Sequence, residues 1–450
     1  MGSAAEFQAM VYFCDLISSP SQGRKYTWSN NRRHGNVSAT LDRSFFNFEW
    51  LHMFHDCAQS VLQRSVSDHA PLLIRSEVLS KPNNIPFRFH KFWMDHSDFL
   101  QVVQEVWKDV RVGCPILGLA QNPKKLKPIL KSWAKTEFPN FYLEKDIANS
   151  ELDAVQSLIE HQGMNEELFS KEADAKTRLF KAMESHEKLW SEKARIRWMK
   201  RGDRNSKFFH LSIKVRRAKN MIRNLKREDG SMTTDSFQLP SHVSDFYENF
   251  HKCQPTIDHF ELLDCVPKEI SDVDQSMLDS IPTSEEIKRA VWDLDPDSSP
   301  GPNGFPGAFF RKCRDIVGNN FCGAVKSFFR SKNFPRGVNN SFLTLIPKVQ
   351  GANSLNKYCP ICMANFFYKA LSKIMASRVS DLLPRLVSLE KGAFQRGKII
   401  SANIGLASEL ENLMHSSICG GGMGIKLDIQ KVFDTLSWNF LFATLQKFGF

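Results

Sequence analysis

The spacing of apolar residues changes along this chain, and each spacing predicts a different kind of element. Across residues 85–240 the apolar positions recur at helical spacing, as at Leu152, Val155 and Leu158. Glu and Lys alternate through residues 171–193, a pattern typical of a long solvated helix. The pattern therefore predicts a mostly helical middle segment.

Strand-like runs lie on both sides of this helical segment. Residues 26–29 predict a short strand after a turn at residues 18–23, which contain Pro and Gly. Ser341–Pro347 is a second, apolar strand candidate. Residues 1–80 are predicted to be the end of an α/β domain. Residues 241–282 show no clear pattern and are predicted to be a connection.

The last block, residues 283–450, begins with a helix start signal. Thr283 is placed to cap a helix N-terminus, and Glu286 three positions later completes a capping box. Residues 297–304 predict a loop by their Pro and Gly content. Residues 366–383 predict a further helix from the spacing of their apolar positions.

Composition limits the domain count and the location. The 450 residues suffice for two or three domains, and no apolar run reaches the ~18 residues of a membrane span. Residues 1–6 contain neither a secretion signal nor a myristoylation signal. Ten scattered cysteines fit a reducing compartment, so we expect a nuclear or cytoplasmic location. Cys359 and Cys362 have the spacing of a redox or zinc half-site, but no second such pair completes a zinc site.

The positive charge of the chain is concentrated in one segment. Residues 195–227 contain thirteen Lys or Arg and one acidic residue, whereas the rest of the chain has 47 basic and 48 acidic residues. Concentrated charge of this kind favours a polyanionic partner such as nucleic acid.

A candidate metal ligand lies near the end of the sequence. In residues 425–429 apolar residues alternate with Lys426 and Asp428, which predicts a half-buried strand that presents Asp428 at its end. A carboxylate beside buried apolar residues needs a partner charge or a metal. On its own, such an Asp is more often a solvated strand end or a helix N-cap.

Five motifs in a fixed order change that interpretation. They are Ser299-Pro300-Gly301-Pro302-Asn303-Gly304-Phe305, Leu345-Ile346-Pro347-Lys348, Tyr358-x-Pro360-Ile361, Ala393-Phe394-x-x-Gly397-Lys398, and Lys426-Leu427-Asp428 followed after five residues by Asp434. The series resembles the fingers and first palm motif of reverse transcriptases (RNA-directed DNA polymerases) of non-LTR, LINE-type retrotransposons, especially those of plants. The resemblance covers residues 280–450.

The resemblance implies roles for individual residues. Asp428 would be the first carboxylate that binds Mg²⁺, and Ile429 would offer its backbone carbonyl to the metal. Phe433 matches the aromatic that rejects a 2′-hydroxyl, although without the motif it would be read as a core residue. Lys348 would lie near the template or the incoming dNTP. Nucleotidyl transfer uses two metal ions, and the family's second motif, an aromatic-Ala-Asp-Asp turn, does not occur in these 450 residues.

The chain departs from the family pattern at several positions. Cys359 stands where the family has an Arg that is thought to contact the triphosphate, and Cys362 stands where it has Ser. An Arg holds phosphate through a planar fork of donors that Cys lacks. The C-x-x-C pair is therefore interpreted as two substitutions in a polymerase motif. Asn303 replaces the usual Asp of the Gly-Pro-Asp-Gly loop.

The first 80 residues resemble the C-terminal third of an apurinic-type endonuclease domain. The residues that carry this resemblance are Tyr26-Thr27-Trp28-Ser29-Asn30, Leu41-Asp42-Arg43 and Ser67-Asp68-His69-Ala70-Pro71-Leu72. The resemblance places His69 at the scissile phosphate, with Asp68 as the carboxylate that orients it. A carboxylate can hold an imidazole in place and stabilise its charged form for acid–base chemistry.

The basic segment resembles the linker between the endonuclease and the polymerase of the same elements. Its cations are interleaved with aromatic residues, so that charges would meet phosphates and rings would stack on bases. The alternative is a solvated basic helix whose aromatic residues pack inward. The candidate nucleic-acid contacts are Arg195, Arg197, Trp198, Lys200, Arg201, Lys207, Arg216 and Arg217.

The sequence as a whole predicts an α+β chain in three units. Residues 1–80 would be part of an endonuclease/exonuclease/phosphatase-type α/β sandwich, residues 81–282 a mostly helical basic linker, and residues 283–450 the fingers and first palm strand of a right-hand polymerase. We expect a truncated retrotransposon reading frame whose partners would be an RNA template, a DNA target and dNTPs, with no membrane contact. Because both active sites lack required carboxylates, the chain by itself is expected to be inactive. The alternatives are a non-catalytic nucleic-acid-binding protein that uses residues 195–227, and a non-functional product that does not fold stably.

Overall fold

The structure is a computed structural model in which most of the chain is described. The described residues are 2–14, 16–19, 21–30, 32, 35–54, 56–64, 67–77, 85–107, 113–138, 141–163, 165–194, 213, 216, 220–222, 224–235, 237–252, 260–349, 351–388, 390–392, 397–414, 425, 427 and 431–450. Helices predominate and the strands form small sheets, so the predicted α+β class is confirmed.

The N-terminal part mixes short strands with two helices. Its elements are α1 (Gly2–Phe13), β1 (Ile17–Ser18), β2 (Ser21–Gly23), β3 (Trp28–Ser29), β4 (Ser38–Ala39), β5 (Phe45–Phe46), α2 (Phe48–Met53), β6 (Asp56–Val61) and β7 (Leu72–Glu77). Strand β6 is central in a three-stranded sheet, parallel to β2 and antiparallel to β7. Antiparallel pairs join β1 to β5 and β3 to β4.

The turn predicted at residues 18–23 is wrong for its second half, which forms β2. Ser21 aligns with Gln59 of β6. Gly23 has a φ of +92°, and a Cβ at this position would lie 2.4 Å from the carbonyl oxygen of Val61. This glycine therefore permits a close approach of two backbones within a sheet.

The middle of the chain is helical, as predicted, up to residue 194. Its elements are a 3₁₀ helix (Lys91–Asp95), α3 (Phe99–Val106), α4 (Pro115–Glu137), α5 (Phe141–Gln162) and α6 (Glu166–Ala194). A short antiparallel hairpin, β8 (Leu225–Lys226) and β9 (Met232–Thr233), follows later. In the described ranges, no helix combines the length and the apolar character that a membrane crossing requires.

The predicted connection at residues 241–282 contains regular structure. It holds most of α7 (Gln238–Phe250), a 3₁₀ helix (Phe260–Cys265) and α8 (Asp272–Asp279). The start of α8 is a capping box, in which Ser271 and Asp274 bond to each other's backbone N–H groups. The sequence signal for α8 was therefore present in residues 271–274.

The last block alternates helices with one long hairpin. Its elements are α9 (Ser284–Asp293), α10 (Gly307–Lys312), α11 (Arg314–Ser331), β10 (Ser341–Pro347), a 3₁₀ helix (Leu355–Lys357), β11 (Tyr358–Ala364), α12 (Phe366–Ser380), α13 (Leu383–Leu386), α14 (Ile400–Met414), α15 (Val432–Thr435) and α16 (Trp438–Phe448).

One large apolar cluster joins residues 85–138 to the last block. The ring of Phe89 lies 5.7 Å from that of Phe305 and 5.4 Å from that of Phe309, centre to centre. Trp93 packs edge-on against Phe89 at 5.4 Å. Each such buried side chain contributes roughly 1.5–3 kcal/mol. The helices after residue 85 therefore fold onto the last block, and the predicted unit boundaries stay a prediction.

Candidate functional site

An aspartate holds the ring of His69. Nδ1 of His69 lies 2.8 Å from Oδ2 of Asp42. The hydroxyl of Thr27 accepts hydrogen bonds from the backbone N–H groups of Leu41 and Asp42, at 3.0 and 2.9 Å. Trp28 pairs with His69 in an antiparallel bridge. The three endonuclease-like motifs therefore meet at one place, and the bond from His69 lowers the pKa of Asp42 below its usual 3.8.

The carboxylate that orients His69 is Asp42 rather than the expected Asp68. Oδ2 of Asp68 accepts a hydrogen bond from Nε1 of Trp28 at 3.0 Å, and this bond lowers the pKa of the Asp68 carboxyl. Although Asp68 and His69 are neighbours in the sequence, their side chains therefore bond to different partners. Asp42 belongs to the Leu41-Asp42-Arg43 motif, so the sequence pointed to this residue without giving its role. A catalytic role for this group stays a prediction.

The two carboxylates near His69 each bond to a ring. Asp68 accepts a hydrogen bond from the indole N–H of Trp28, and Asp42 bonds to Nδ1 of His69. Within the described part of the chain, no group of three or more His, Cys, Asp or Glu residues could hold a metal. Asp428 and Ile429, predicted to bind Mg²⁺, lie outside the described residues. Their role therefore stays a prediction.

The Pro- and Gly-rich loop between α9 and α10 lies directly against the start of α12. A Cβ on Gly301 would lie 2.4 Å from the backbone nitrogen of Asn365, so a glycine is required there. The Asn365 side chain accepts a hydrogen bond from the backbone N–H of Asn303 at 2.9 Å, across 62 residues of sequence. Nζ of Lys369 donates to the carbonyl of Ser299 at 2.8 Å. The loop motif therefore packs against residues that follow the motif on β11.

The two strand motifs form one antiparallel hairpin, with Pro347 of β10 opposite Tyr358 of β11. Just beyond β10, the backbone N–H of Lys348 donates to the carbonyl of Lys357 at 2.8 Å. The Lys348 side chain is exposed. The structure thus places this predicted nucleotide-binding cation at the solvent side of the hairpin end.

The C-x-x-C pair lies on β11. Cys359 and Cys362 are three positions apart on an extended strand, so their side chains point to opposite faces. Both thiols are free. Thiols on opposite faces cannot bind one metal ion together or form a disulfide with each other. This arrangement supports their interpretation as substitutions in a polymerase motif.

Phe433 lies on α15 with 85% of its surface exposed. This exposure excludes the alternative that Phe433 is a core residue. Next to it, Oδ1 of Asp434 lies 3.9 Å from Nε2 of His251. Nζ of Lys431 lies 4.6 Å from the ring centre of Phe250. Helix α15 therefore contacts the C-terminal end of α7, and Phe433 stays a candidate for contact with the sugar of a nucleotide.

Most of the basic segment falls outside the described residues. This holds for Arg195, Arg197, Trp198, Lys200, Arg201, Lys207 and Arg217; Arg216 is helical and half-buried. The preceding helix, α6, is fixed near its end, because Oε2 of Glu192 accepts a hydrogen bond from the backbone N–H of Lys91 at 2.9 Å. Oε1 of Glu192 lies 3.3 Å from Nδ1 of His90. The last turn of α6 therefore lies next to residues 90 and 91, at the edge of the main core.

The chain is similar to a transposon protein. It is 22% identical over 433 residues to the uncharacterized 149 kDa protein of transposon TX1 from Xenopus laevis. The match covers 93% of this chain and 32% of that protein, so the chain spans about a third of the relative's length. No family model matches the chain.

Proposed function

We propose that this chain is the nucleic-acid-binding portion of a LINE-type retrotransposon polyprotein. It would comprise the end of an endonuclease domain, a basic linker, and the fingers with the first palm motif of an RNA-directed DNA polymerase. The observation that carries the proposal is the packing of the loop of Asn303 against Asn365, beside the hairpin of β10 and β11. Motifs that resemble one enzyme's fingers are thus assembled in three dimensions. The similarity to the transposon TX1 protein supports the same conclusion.

The chain by itself is expected to bind nucleic acid without extending a primer. Two metal ions are needed to activate the primer hydroxyl and to stabilise the transferring phosphoryl group. Asp428 is the motif carboxylate that these 450 residues supply, and the aromatic-Ala-Asp-Asp turn does not occur in them. One carboxylate does not hold two Mg²⁺ ions at the spacing that catalysis requires. The RNA template and DNA target would be held mainly by the basic segment.

Binding and extension can be measured on the same purified chain with a labelled RNA template and an annealed DNA primer. Binding is expected to weaken as salt is added. In a plot of the logarithm of the binding constant against the logarithm of the salt concentration, each phosphate contact on a single strand contributes about −0.7 to the slope. The double variant Arg216→Glu, Arg217→Glu should bind more weakly than the wild type. The double variant Lys171→Glu, Lys181→Glu makes the same charge change on α6 and serves as the control.

Two results would count against this function. Primer extension that requires Mg²⁺ and disappears in Asp428→Ala would contradict the expected lack of catalysis. Unchanged binding by the Arg216 and Arg217 variant would remove the basic segment from the interface.

The His69–Asp42 pair favours a second, ancestral function in phosphodiester cleavage. An imidazole positioned by a carboxylate suits acid–base or phosphate-stabilising chemistry. Because the endonuclease-like site is expected to lack required carboxylates in this chain, we expect no nicking of supercoiled plasmid by this chain in Mg²⁺. Nicking that His69→Ala abolishes would show that this site is active.

A further inference from the structure

A cleft of about 440 Å³ opens between α4 and the last block. Residues of α4 from Ile116 to Lys127 form one wall, and the loop after α11 and the start of α12 form another. The described residues that line it include Lys124, Lys127 and Arg336 but no Asp or Glu. The remaining lining is apolar, aromatic or amide. The cleft is therefore positively charged without a carboxylate of its own.

In the part of the chain that the structure describes, the ion pairs include none of Lys124, Lys127 and Arg336. Nζ of Lys127 donates to the carbonyl oxygen of Pro302 at 3.1 Å, which is a neutral partner. Burial, followed by the charges of Lys124 and Lys131, lowers the pKa of Lys127. An anion bound between these side chains would relieve the repulsion and replace the lost hydration.

A tight turn presents Arg336 to the same cleft. The backbone N–H of Val338 donates to the carbonyl of Pro335 at 3.3 Å. Gly337 follows Arg336 with a φ of +82°, as a type II turn requires at its third position. The turn therefore fixes the backbone conformation at Arg336, whose side chain is exposed. The turn supplies a planar guanidinium suited to phosphate.

Beside the cations lie a pair of rings and several amides. The ring centres of Phe334 and Tyr368 are 5.6 Å apart, and Tyr368 is 37% exposed. An exposed ring offers a stacking surface for an unpaired base. The amide of Asn340 also lines the cleft and can pair with a base edge. It lies beside Asn303 and Asn365, whose amide oxygens accept backbone hydrogen bonds. Cations together with a ring and amides suit a single strand, because the bases of a duplex are already stacked and paired.

We propose that this cleft binds a short stretch of single-stranded nucleic acid, with phosphates at Lys124, Lys127 and Arg336 and a base against Tyr368. The proposal rests on the proposed function, since the strand would be the template or the target. The cleft, which is formed partly by α4, would be a second surface for nucleic acid, in addition to the basic segment. The substitution of Asn303 for the family's Asp leaves this surface free of negative charge.

The test uses the full chain and a fluorescein-labelled, unstructured 12-nucleotide RNA, with binding followed by anisotropy at several salt concentrations. The double variant Lys124→Glu, Arg336→Glu is expected to bind the RNA roughly tenfold more weakly at low salt. Its plot of log binding constant against log salt concentration should have a slope shallower by about 1.4, because two phosphate contacts are lost. Lys125→Glu changes an exposed neighbour on α4 that does not line the cleft and should bind like the wild type. Circular dichroism checks that each variant is folded.

A milder variant tests the cleft without changing its cations. Asn303→Asp keeps an oxygen for the hydrogen bond from the backbone N–H of Phe305, 3.1 Å in this chain, but adds a negative charge. It should weaken RNA binding and leave the melting temperature unchanged. Cross-linking with 4-thiouridine RNA should label a peptide that contains Tyr368.

The outcomes separate this inference from the proposed function. Normal binding by the cleft variants, with weakened binding by Arg216→Glu, Arg217→Glu, would overturn the cleft and leave the proposed function standing. Failure of the wild type to bind any RNA would overturn both. Displacement of the RNA from the cleft by excess dTTP, with loss of the Tyr368 cross-link, would show a free-nucleotide site and overturn the single-strand assignment.

Discussion

Arg378 binds Glu286 through two parallel hydrogen bonds, from Nε to Oε1 at 2.8 Å and from Nη2 to Oε2 at 2.9 Å. The guanidinium is buried, and its Nη1 donates to the carbonyls of Leu278 and Ser280 at 2.8 and 2.7 Å. One side chain of α12 therefore fixes the start of α9 and the end of α8. The last block is held together at this point by donors with a fixed planar geometry.

Arg378→Ala should lower the free energy of unfolding by about 2 kcal/mol, because it leaves two partly buried carbonyls and a partly buried carboxylate without donors. Arg378→Lys should recover only part of this, since an ammonium cannot make the two parallel bonds. Urea unfolding measures the effect. Lys332→Ala is the control, because its pair with Asp279 is 71% exposed on both sides and should contribute less than about 1 kcal/mol. Equal effects of Arg378→Ala and Lys332→Ala would contradict the prediction.

Two glycines with similar backbone angles should respond differently to alanine. Gly304 has a φ of +79°, and a Cβ there would lie 2.4 Å from the carbonyl oxygen of Phe87. Gly337 has a φ of +82° but nothing within 4 Å of its Cβ position. Gly337→Ala should cost about 1 kcal/mol for the left-handed backbone alone, and Gly304→Ala should cost clearly more. Thermal unfolding of both variants tests this, and equal losses would show that the contact with Phe87 is not a constraint.

The two aspartates beside His69 should titrate independently. Carboxyl ¹³C NMR should give Asp42 a pKa below 3.8, which His69→Ala raises toward that value because the hydrogen bond is its main cause. Trp28→Phe should instead raise the pKa of Asp68, whose lowering depends on the indole N–H. If His69→Ala changed the pKa of Asp68 and left that of Asp42 unchanged, Asp68 would be the carboxylate that orients His69.

Asp274 should contribute to stability only above acidic pH. Hydrogen bonds from Arg385, and then Ser271, lower its pKa from 3.8 to about 2. Since the unfolded chain binds this proton more tightly than the folded chain, the contribution is complete above about pH 4 and is lost as the pH falls through 2. Asp274→Asn should therefore be less stable than the wild type at pH 7, with a difference that closes toward pH 2. Asp272→Asn, in the same helical turn, leaves the bonds from Arg385 and Ser271 to Asp274 in place and serves as the control.

Elements that depend on local signals could be predicted from the sequence. The strand Ser341–Pro347 has the predicted bounds. Thr283 caps α9 as expected, with its hydroxyl accepting a hydrogen bond from the backbone N–H of Glu286 at 3.2 Å. The alternating charges at residues 171–193 fall within α6, as a solvated helix requires.

Contacts between distant residues could not be predicted in this way. The carboxylate of Glu286 was expected to close the capping box but binds Arg378, 92 residues away. A backbone N–H at an exposed helix end can be hydrated, whereas a buried guanidinium needs acceptors. The Asp42–His69 pair across 27 residues and the packing of Phe89 on Phe305 were missed for the same reason. Each of these contacts depends on how the chain folds back on itself, which the spacing of residues does not predict.

The aromatic cluster that joins Phe89 and Trp93 to Phe305 and Phe309 also restricts how the gene for this chain could change by recombination. A crossover between residues 138 and 283 would combine halves of this cluster inherited from different parents. Side chains whose shapes diverged separately would then leave gaps or overlaps, each of which costs on the order of 1–3 kcal/mol. Viable chimeras should therefore inherit both halves from one lineage, even though the two lie far apart in the gene.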